Sequence, residues 1–260
     1  MISVITPTYN SEKYIRKTIQ SLKNQTNKDF EHIVVDGGSK DRTKVICEEE
    51  GISKFYLLES SSMYEAIDFG FRQSSGDVLC WLNSDDLFLS DTIQFVENYF
   101  KLNKEKNIIA GDTIYIDENG NDMYKYRFPY IPLKLFKSFG TLYLCQPSVF
   151  WRRKIYFDND GLNLSYKLTA DRDFIFRVVD KNTLIYVNKV LSRFRLHSEN
   201  LSKLKADIAE KENQAINKSL NVGPTSAIKK ILSLAGHLYI KLNNPTMIIW
   251  KTKRFFNLIT

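Results

Sequence analysis

Four polar residues, Asn83-Ser84-Asp85-Asp86, directly follow the apolar run VLCWL. Two adjacent carboxylates at the end of a buried strand repel each other, which raises their pKa values unless a positive charge compensates. Mn²⁺ or Mg²⁺ would supply that charge, because such ions are held by one or two carboxylates together with phosphate oxygens. The alternative is that Asp85 and Asp86 only begin a loop and cap the next helix, and this motif by itself favours that alternative.

Two further polar sites follow apolar runs within the first forty residues. Asp36 comes directly after HIVV and precedes Gly37-Gly38. Its carboxylate could accept a hydrogen bond from the ring N–H of a base such as uracil, and the glycines would let a ligand approach the backbone closely. Thr8 and Tyr9 follow Pro7, and Tyr9 offers an aromatic face on which a base could stack. A β-turn aspartate and a tyrosine that closes the core remain open as alternatives.

A third polar site lies near the end of the chain's second half. Arg195 and His197 are separated by one residue, so their side chains share a face if the segment is extended. A lone histidine is more often a satisfied structural residue than a ligand. The position of His197 near the end of a predicted strand keeps the structural and the functional interpretation open.

The first hundred residues alternate strand and helix patterns, which would bring these polar sites together. The predicted strands are 2–6, 32–36, 55–58 and 78–82, and the predicted helices are 11–25 with Ser11 as N-cap, 42–50 with Asp41 as cap, 64–73 and 91–101. Strands that alternate with helices of this length predict a parallel sheet covered on both faces. Ligands bind beyond the carboxyl ends of such strands. Thr8, Asp36 and Asp85 fall at those ends.

The second half of the chain has a different pattern. Strand-like residues at 108–116 are followed by a hairpin turn at 117–121. Residues 123–157 are rich in aromatics, which could offer flat surfaces to a sugar ring, although most are expected to pack in the core. A helix at 171–179, a strand at 184–187 and helices from Leu201 onward complete the prediction, with a break at 222–224.

Six segments resemble, in order, motifs of the family 2 glycosyltransferases: SVITPTYN, VVDGGSKDRT, MYEAIDFGFRQSSGDVLCWLNSDD, CQPSVFWRR, TADRDFIFR and FRLHSENLS. The resemblance implies the Rossmann-like GT-A fold, an α/β fold with a mixed, mainly parallel sheet and helices on both faces. It covers residues 1–202, with a nucleotide-sugar half at about 1–112 and an acceptor half at about 113–202. Residues 203–260 are expected to form a C-terminal helical extension with a basic tail.

The resemblance also implies roles for single residues on the donor side. Thr8, Tyr9 and Asp36 would hold the nucleotide base, most often uracil. Asn83 and Asp85 match the family's Asp-X-Asp motif, so Asp85 is the expected contact to Mn²⁺ or Mg²⁺, with Asp86 as an alternative ligand. Arg195 and His197 match an element close to the diphosphate, and His197 is a further candidate metal ligand. Three positions depart from the family pattern. Asn83 stands where the metal motif commonly begins with Asp, although asparagine can still hydrogen-bond a ribose hydroxyl. Ser62 and Asp68 stand where many relatives carry Gly and Asn, which leaves the sugar specificity open.

On the acceptor side, the resemblance makes Asp171 the catalytic base and places Gln146 near the acceptor. Asp173 competes for the same role. If the segment is helical, the two carboxylates point about 200° apart, so that only one can face the cleft. An N-cap role for Asp171 is the structural alternative.

Together these assignments predict an inverting, metal-dependent transfer of a sugar from a nucleotide-sugar, expected to be a UDP-sugar. The acceptor would be a hydroxyl of a glycan or lipid-linked acceptor in surface polysaccharide assembly. A sugar nucleotidyltransferase on the same fold would usually carry a Gly-rich loop with a basic residue, and residues 7–12 (PTYNSE) have neither. A non-enzymatic membrane- or polyanion-binding protein is the other alternative.

The charge is concentrated in the tail. The chain has 37 Lys and Arg against 30 Asp and Glu, and six of those cations but no acid lie after residue 223. Interleaved apolar residues predict an amphipathic segment on an anionic membrane surface, while packing on the catalytic domain or a homodimer contact are the alternatives. We expect no nucleic-acid partner.

Composition and cysteine spacing bear on the compartment. Hydrophobic residues make up 43% of the chain and charged residues 26%, which is typical of a globular protein and argues against disorder. Cys47, Cys80 and Cys145 are far apart and form no metal or disulfide pattern, which favours a reducing compartment. Since the N-terminus lacks the features of a signal peptide, we expect a cytoplasmic protein, with peripheral contact to the inner face of the membrane.

Overall fold

Nine strands form one mixed sheet in the part of the chain that the structure describes. The computed structural model describes residues 1–128, 137–140, 142, 144–179, 184–224 and 227–257. The strands are β1 (Ile2–Thr8), β2 (Phe30–Asp36), β3 (Lys54–Leu57), β4 (Val78–Trp81), β5 (Leu87–Phe88), β6 (Ile108–Ile116), β7 (Asp122–Tyr126), β8 (Val149–Arg152) and β9 (Leu184–Arg195). Their order across the sheet is β3-β2-β1-β4-β8-β6-β9-β5, and β7 pairs with β6.

The helices connect these strands and cover both faces of the sheet. They are α1 (Ile15–Lys23), α2 (Thr43–Glu49), α3 (Met63–Gln73), α4 (Thr92–Leu102), α5 (Arg153–Phe157), α6 (Ala170–Val178), α7 (Leu201–Leu204), α8 (Ala206–Ser219), α9 (Ala227–Asn243) and α10 (Pro245–Asn257). One core cluster joins α3, α5, α6 and α8 to the sheet, and a second lies on the opposite face with α1 and α4. This arrangement confirms the predicted α/β class.

Alternation along the strands explains why both faces are apolar. In β1, Val4 belongs to the cluster under α1 and α4, and its neighbour Ile5 belongs to the cluster under α3 and α6. Successive side chains of a strand point to opposite faces, so a strand buried on both sides must be apolar throughout. Strands β1 to β4 are parallel, and their pairing places Thr8 opposite Asp36. Their carboxyl ends therefore meet at one edge.

Several boundaries differ from the sequence prediction. Helix α1 begins at Ile15 and its N-cap is Tyr14, not Ser11, because a turn follows Asn10, whose φ is +48°. Strand β9 extends through Arg195, since it pairs with β6 over nearly its whole length across two register shifts. The short strands β5 and β8 were not predicted. The helix break at 222–224 and the turn at 117–121 are as expected.

The C-terminal helices pack partly on the rest of the chain. Ile216 of α8 and Ile240 of α9 join the main core cluster. Asn244, between α9 and α10, accepts the Arg127 backbone N–H at 2.6 Å and donates to the Arg127 carbonyl at 3.1 Å. The Trp250 ring of α10 lies 5.4 Å from the Tyr124 ring of β7. Within the described ranges, no helix is both long and apolar enough to pass through a bilayer.

Candidate functional site

The carboxyl ends of β1 and β2 place Thr8, Tyr9 and Asp36 next to one another. Asp36 is buried, and its carboxylate accepts the backbone N–H of Ser39 at 3.0 Å. Tyr9 is 62% exposed, so its ring is free to meet a ligand. A Cβ added at Gly37 would lie 3.5 Å from the Tyr9 ring and 3.4 Å from the Ser61 carbonyl oxygen. Glycine at this position therefore keeps a narrow space open between two loops.

The polar segment after β4 is tied to the loop after β1. The hydroxyls of Ser11 and Ser84 lie 2.8 Å apart. The Thr18 hydroxyl lies 2.9 Å from the carbonyl oxygens of both Ser84 and Asp86. These contacts hold residues 83–86 at the same sheet edge as Thr8.

Asp85 is paired with His197. The His197 Nε2 atom lies 2.8 Å from an Asp85 carboxylate oxygen, and 22% of the Asp85 side chain is exposed. The Nδ1 atom of the same ring accepts the backbone N–H of Glu199 at 3.2 Å. In the neutral ring the proton is therefore on Nε2 and is donated to Asp85. His197 thus acts as the hydrogen-bond partner of Asp85 in this arrangement, and Asp85 keeps access to the solvent side.

Asp86 faces the protein interior. Its side chain is fully buried and accepts the backbone N–H of Arg195 at 2.9 Å. Burial, together with the charge of Asp85, raises its pKa well above the usual value for an aspartate. Within the described ranges, no three His, Cys, Asp or Glu side chains are grouped to hold a metal. Of the two adjacent carboxylates only Asp85 is placed to meet a ligand, which corrects the expectation that Asp86 could replace it.

Arg195 was expected near the diphosphate, and the structure buries its side chain beside the Asp85 segment. Nε donates to the Asp85 carbonyl at 2.8 Å. Nη1 lies 3.2 Å from the carbonyl oxygens of Asp117 and Glu118, and the guanidinium lies 4.8 Å from the centre of the Tyr14 ring. Nη2 has no hydrogen-bond partner among the described residues, so the expected diphosphate contact stays a prediction. Through Nε and Nη1, Arg195 supports the Asp85 segment.

Asp171 lies in the first turn of α6, and its side chain is partly buried. The Tyr64 hydroxyl donates to its carboxylate at 2.9 Å. Burial raises the pKa of Asp171, whereas the Tyr64 hydrogen bond opposes that rise. Asp173, the competing carboxylate, pairs with Arg177 of the same helix at 2.8 Å. The N-cap of α6 is Thr169, so neither aspartate has the capping role.

A small cavity joins Asp171 to Gln146. Its lining is mostly apolar and comprises Trp81, Leu142, Leu144, Gln146, Val149, Trp151, Asp171, Phe174 and Ile175. The Gln146 amide donates to the Trp81 carbonyl at 2.8 Å, two residues before Asn83. Of the aromatic stretch predicted at 123–157, residues 129–136, 141 and 143 lie outside the described residues.

The pKa of the Cys145 thiol depends on carboxylates from both sides of the site. Burial raises its pKa to about 12, and the negative charges of Asp86 and Asp171 both add to that rise. Trp81, the last residue of β4, lines the same cavity as Asp171, so Asp171 lies close to the end of the strand that leads into the donor-side segment.

Buried polar atoms without a partner mark the space between these groups. Among the described residues, such atoms at this edge include Thr8 Oγ1, Ser61 Oγ, Asn83 Oδ1, Gln146 Oε1 and Arg195 Nη2. A buried polar atom normally has a hydrogen-bond partner, so several orphaned atoms around one space indicate that a polar ligand completes them. Sequence reasoning missed Ser61 and Tyr64, since neither stands in a recognisable catalytic pattern.

Two of the departures from the family pattern, Ser62 and Asp68, have structural explanations. Ser62 is the N-cap of α3 and forms a capping box with Glu65. Asp68 is buried on the inner side of α3, where it accepts from the Tyr156 hydroxyl at 2.7 Å and pairs with Arg72 at 2.8 Å. Both side chains therefore stabilise α3 and its packing.

Comparison with known proteins gives a consistent result. Residues 3–160 match the model described as glycosyl transferase family 2. An uncharacterized glycosyltransferase of Rickettsia typhi is 30% identical over 210 residues, which are 76% of this chain and 64% of that protein. Three other Rickettsia relatives are longer, and the match covers only 31–35% of each. The chain thus spans less than two thirds of the length of these curated relatives.

Two solved structures share the fold. S. aureus TarS residues 1–349 in complex with UDP-GlcNAc has a TM-score of 0.67 and 22% identity, covering 93% of this chain and 72% of that one. The mannosyltransferase PcManGT of Pyrobaculum calidifontis, in complex with GDP-Man and Mn2+, has a TM-score of 0.63 and 15% identity, covering 96% and 73%. At these identities the likeness establishes the fold alone.

Proposed function

The chain belongs to the glycosyl transferase family 2, and we propose that it transfers a sugar from a nucleoside-diphosphate sugar to a hydroxyl group of a glycan or lipid-linked acceptor. The observation that carries this proposal is the proximity of Asp171 to the end of β4, which leads into the Asp85 segment: Trp81 lines the cavity of Asp171, and orphaned polar atoms lie at the same edge. Asp85 would hold the metal ion that binds the anionic diphosphate of the donor, and Asp171 would remove the proton of the acceptor hydroxyl.

The donor is proposed to bind at the ends of β1, β2 and β4. Tyr9 is exposed enough to stack on the base, while Asp36 and the free Thr8 Oγ1 atom can hydrogen-bond to its polar edge. Asn83 Oδ1 is free to accept from a ribose hydroxyl. UDP-GlcNAc in TarS supports a UDP-sugar as the first donor to test.

A divalent cation fits this site. Asp85 presents one partly exposed carboxylate whose other side is fixed by His197, and Mn²⁺ or Mg²⁺ commonly uses one or two protein carboxylates plus phosphate oxygens. Such an ion would neutralise the charge that develops on the leaving diphosphate. The His197 contact keeps Asp85 in one orientation, as outer hydrogen bonds do for metal ligands in general. Mn2+ in PcManGT supports this assignment.

Asp171 is proposed to remove the proton from the acceptor hydroxyl. A carboxylate in apolar surroundings has a raised pKa and is a stronger base than an exposed one, and a positioned base contributes ~10²–10⁴-fold to rate. Gln146, which lines the same cavity as Asp171, would face the acceptor. Attack from the side of Asp171, opposite the diphosphate, would invert the anomeric carbon.

The test is a screen of nucleotide-sugars for release of the nucleoside diphosphate, read together with thermal stability. We expect UDP plus Mn²⁺ to raise Tm more than either alone, because a ligand that binds only the folded state stabilises it. Asp85→Asn should remove the dependence on Mn²⁺. The exposed Asp91→Asn, which changes only a pair with Lys189, is the matched control. Indifference of the wild type to every nucleotide and cation would overturn the proposed function.

The acceptor is proposed to be held at a membrane surface by the tail. Helix α9 buries Ile240 and exposes a stripe on its other side, formed by Ile231, Leu234, Leu238 and Leu242, which are 66, 71, 58 and 68% exposed. Positions three and four apart lie on one helix face, so the stripe is continuous. The tail has six cations and no acid, which favours anionic lipid as its partner. A peripheral position on a membrane follows from this proposal.

Vesicle sedimentation tests the tail. We expect the protein to bind vesicles with phosphatidylglycerol, to release them at high salt, and to bind phosphatidylcholine vesicles weakly. Leu234→Glu with Leu238→Glu should abolish binding, whereas Val45→Glu, which changes an exposed apolar residue of α2, should not. Equal binding by both variants, or no binding by the wild type, would remove the membrane from the proposal. A concentration-dependent dimer that the double variant breaks would assign the stripe to a second copy.

A further inference from the structure

A carboxylate of helix α8 hydrogen-bonds to the segment that leads into α6, the helix of Asp171. The Glu212 carboxylate of α8 accepts the backbone N–H of Lys167 at 2.7 Å and that of Leu168 at 3.0 Å. It also accepts the Thr169 hydroxyl at 2.9 Å. One side chain therefore bonds three consecutive residues, and the last of them is the N-cap of α6.

This contact draws the N-cap hydroxyl of α6 away from the helix. Thr169 occupies the N-cap position, but its side chain makes no capping hydrogen bond to the helix. Its hydroxyl donates to Glu212 instead. An N-cap hydroxyl normally fixes the first turn of its helix, and an acid near a helix N-terminus is favoured by the helix dipole. Glu212 thus fixes the residues that lead into α6 without capping the helix itself.

A second contact holds α6 from the residue next to Asp171. The Arg172 guanidinium is buried, and its Nη2 donates to the Asn217 amide oxygen at 2.6 Å and to the Gly140 carbonyl at 3.1 Å. Its Nη1 donates to the Asn213 carbonyl at 3.4 Å. Asn213 and Asn217 belong to α8, so this helix fixes both the entry to α6 and the residue beside Asp171.

Residues 167–169, which Glu212 binds, are linked to the Asp171 carboxylate through the Tyr64 hydroxyl. The Tyr64 hydroxyl lies 3.0 Å from the Leu168 carbonyl oxygen and 2.9 Å from an Asp171 oxygen. The Leu168 N–H is one of the groups that Glu212 holds. Movement of Leu168 would therefore change the hydrogen bond that Asp171 receives from Tyr64. Glu212 is also close enough for its charge to act on the Tyr64 hydroxyl.

We propose that Glu212 is a positioning residue for the transfer reaction, which sets the orientation and the basicity of Asp171 by holding residues 167–169. The inference rests on the proposed function, because it takes Asp171 as the base. It assigns a role to a helix beyond residues 3–160, the part that matches the family model. The active site is then complete only when α8 is folded onto α6.

The experiment compares Glu212→Ala with Glu210→Ala. Glu210 lies two positions before Glu212 on α8 and is exposed. Its carboxylate accepts a hydrogen bond from Gln214 of the same helix. For Glu212→Ala we expect kcat to fall about 10- to 100-fold while KM for the donor and affinity for UDP stay within about twofold. Glu210→Ala should leave all three unchanged.

The pH profile separates positioning from plain destabilisation. Asp171 must be ionised to accept a proton, so the rate falls as the pH drops through its pKa. The Tyr64 hydrogen bond lowers that pKa. The Leu168 carbonyl competes with Asp171 for the single Tyr64 proton, so Glu212→Ala, which releases Leu168, strengthens the hydrogen bond to Asp171. The acidic limb of kcat should therefore move to lower pH in Glu212→Ala. Loss of folded protein alone would lower the amplitude and leave the limb in place.

Glu212→Gln keeps the size of the side chain and guards against a variant that fails to fold. Its single acceptor oxygen can replace only part of the three contacts, so we expect a kcat between those of wild type and Glu212→Ala. If folded Glu212→Ala and Glu212→Gln both keep wild-type kcat and pH profile, the positioning role is overturned. If the wild type itself releases no nucleoside diphosphate from any nucleotide-sugar, the proposed function fails, and the two results are distinct.

Discussion

Two carboxylates, Asp85 and Asp171, lie near the carboxyl end of β4 in opposite kinds of surroundings. Asp85 is partly exposed, receives a hydrogen bond from His197 and stands beside the polar segment after β4. Asp171 lines a cavity whose walls are almost entirely apolar. Burial raises the pKa of Asp171, and its one side-chain hydrogen bond, from Tyr64, only opposes that rise.

The difference shows how one sheet edge can give the same chemical group two tasks. A carboxylate that is partly exposed and held by a hydrogen bond can be reached by a cation and suits metal binding. A carboxylate against apolar walls is less stable as an anion, so it takes up a proton more readily and suits a base. The fold separates the tasks by placing one group in a loop at a strand end and the other under a covering helix.

The first prediction separates the roles of Asp85 and Asp171 by single substitutions. We expect Asp171→Asn to lower the rate of transfer by ~10²–10⁴-fold, because it removes the base, while UDP and Mn²⁺ bind as in wild type. Asp85→Asn should weaken Mn²⁺-dependent nucleotide binding as well as transfer, because it removes the carboxylate for the cation. Calorimetric titration with UDP and Mn²⁺, next to a transfer assay, measures both quantities. Asparagine in each case keeps the volume of the side chain.

Two outcomes for these variants would contradict the proposed roles of Asp85 and Asp171. If Asp171→Asn transfers sugar at the wild-type rate, a different group removes the proton. If Asp85→Asn binds UDP and Mn²⁺ as tightly as wild type, the cation does not use this carboxylate. Either result would mean that Asp85 and Asp171 do not divide metal binding and proton removal between them.

The donor side could be predicted from the sequence because its parts are local. Strand ends and polar residues are contiguous in HIVVD and VLCWLNSDD, and parallel strands must bring their carboxyl ends to one edge. The α/β fold follows from the same patterns. Individual orientations do not follow, because Asp85 and Asp86 are adjacent and only the burial of Asp86 under Arg195 separates them.

The acceptor side could not be predicted in the same way, because its geometry depends on distant contacts. Tyr64 meets Asp171 across 107 positions, and Glu212 reaches Lys167 across 45. No local periodicity encodes such pairs. The extension of β9 through Arg195 depends on its register with β6, so the burial of that arginine was also beyond the sequence pattern.

The second prediction sharpens the comparison on the donor side. We expect Arg195→Gln to lower the free energy of unfolding by about 3 kcal/mol, because the buried guanidinium bonds three backbone carbonyls and their loss leaves buried acceptors unpaired. Arg193→Gln, which removes a pair with Asp122 near the surface, should cost under about 1 kcal/mol. Urea unfolding of both variants measures the difference. A direct diphosphate contact by Arg195 would instead appear as lost nucleotide affinity with unchanged stability.

The smallest expected effect concerns the acceptor side and the hydrogen bond that Asp171 receives. Tyr64→Phe removes a donor that stabilises the ionised form, so the pKa of Asp171 should rise further above its ordinary value. Since Asp171 must be ionised to act as a base, the acidic limb of kcat should move to higher pH, with little change on the alkaline side. Tyr56→Phe, on β3 and away from α6, is the control. A limb that stays in place, or moves to lower pH, would mean that the ionisation of another group limits the reaction, and the apolar setting of Asp171 would then have no part in its chemistry.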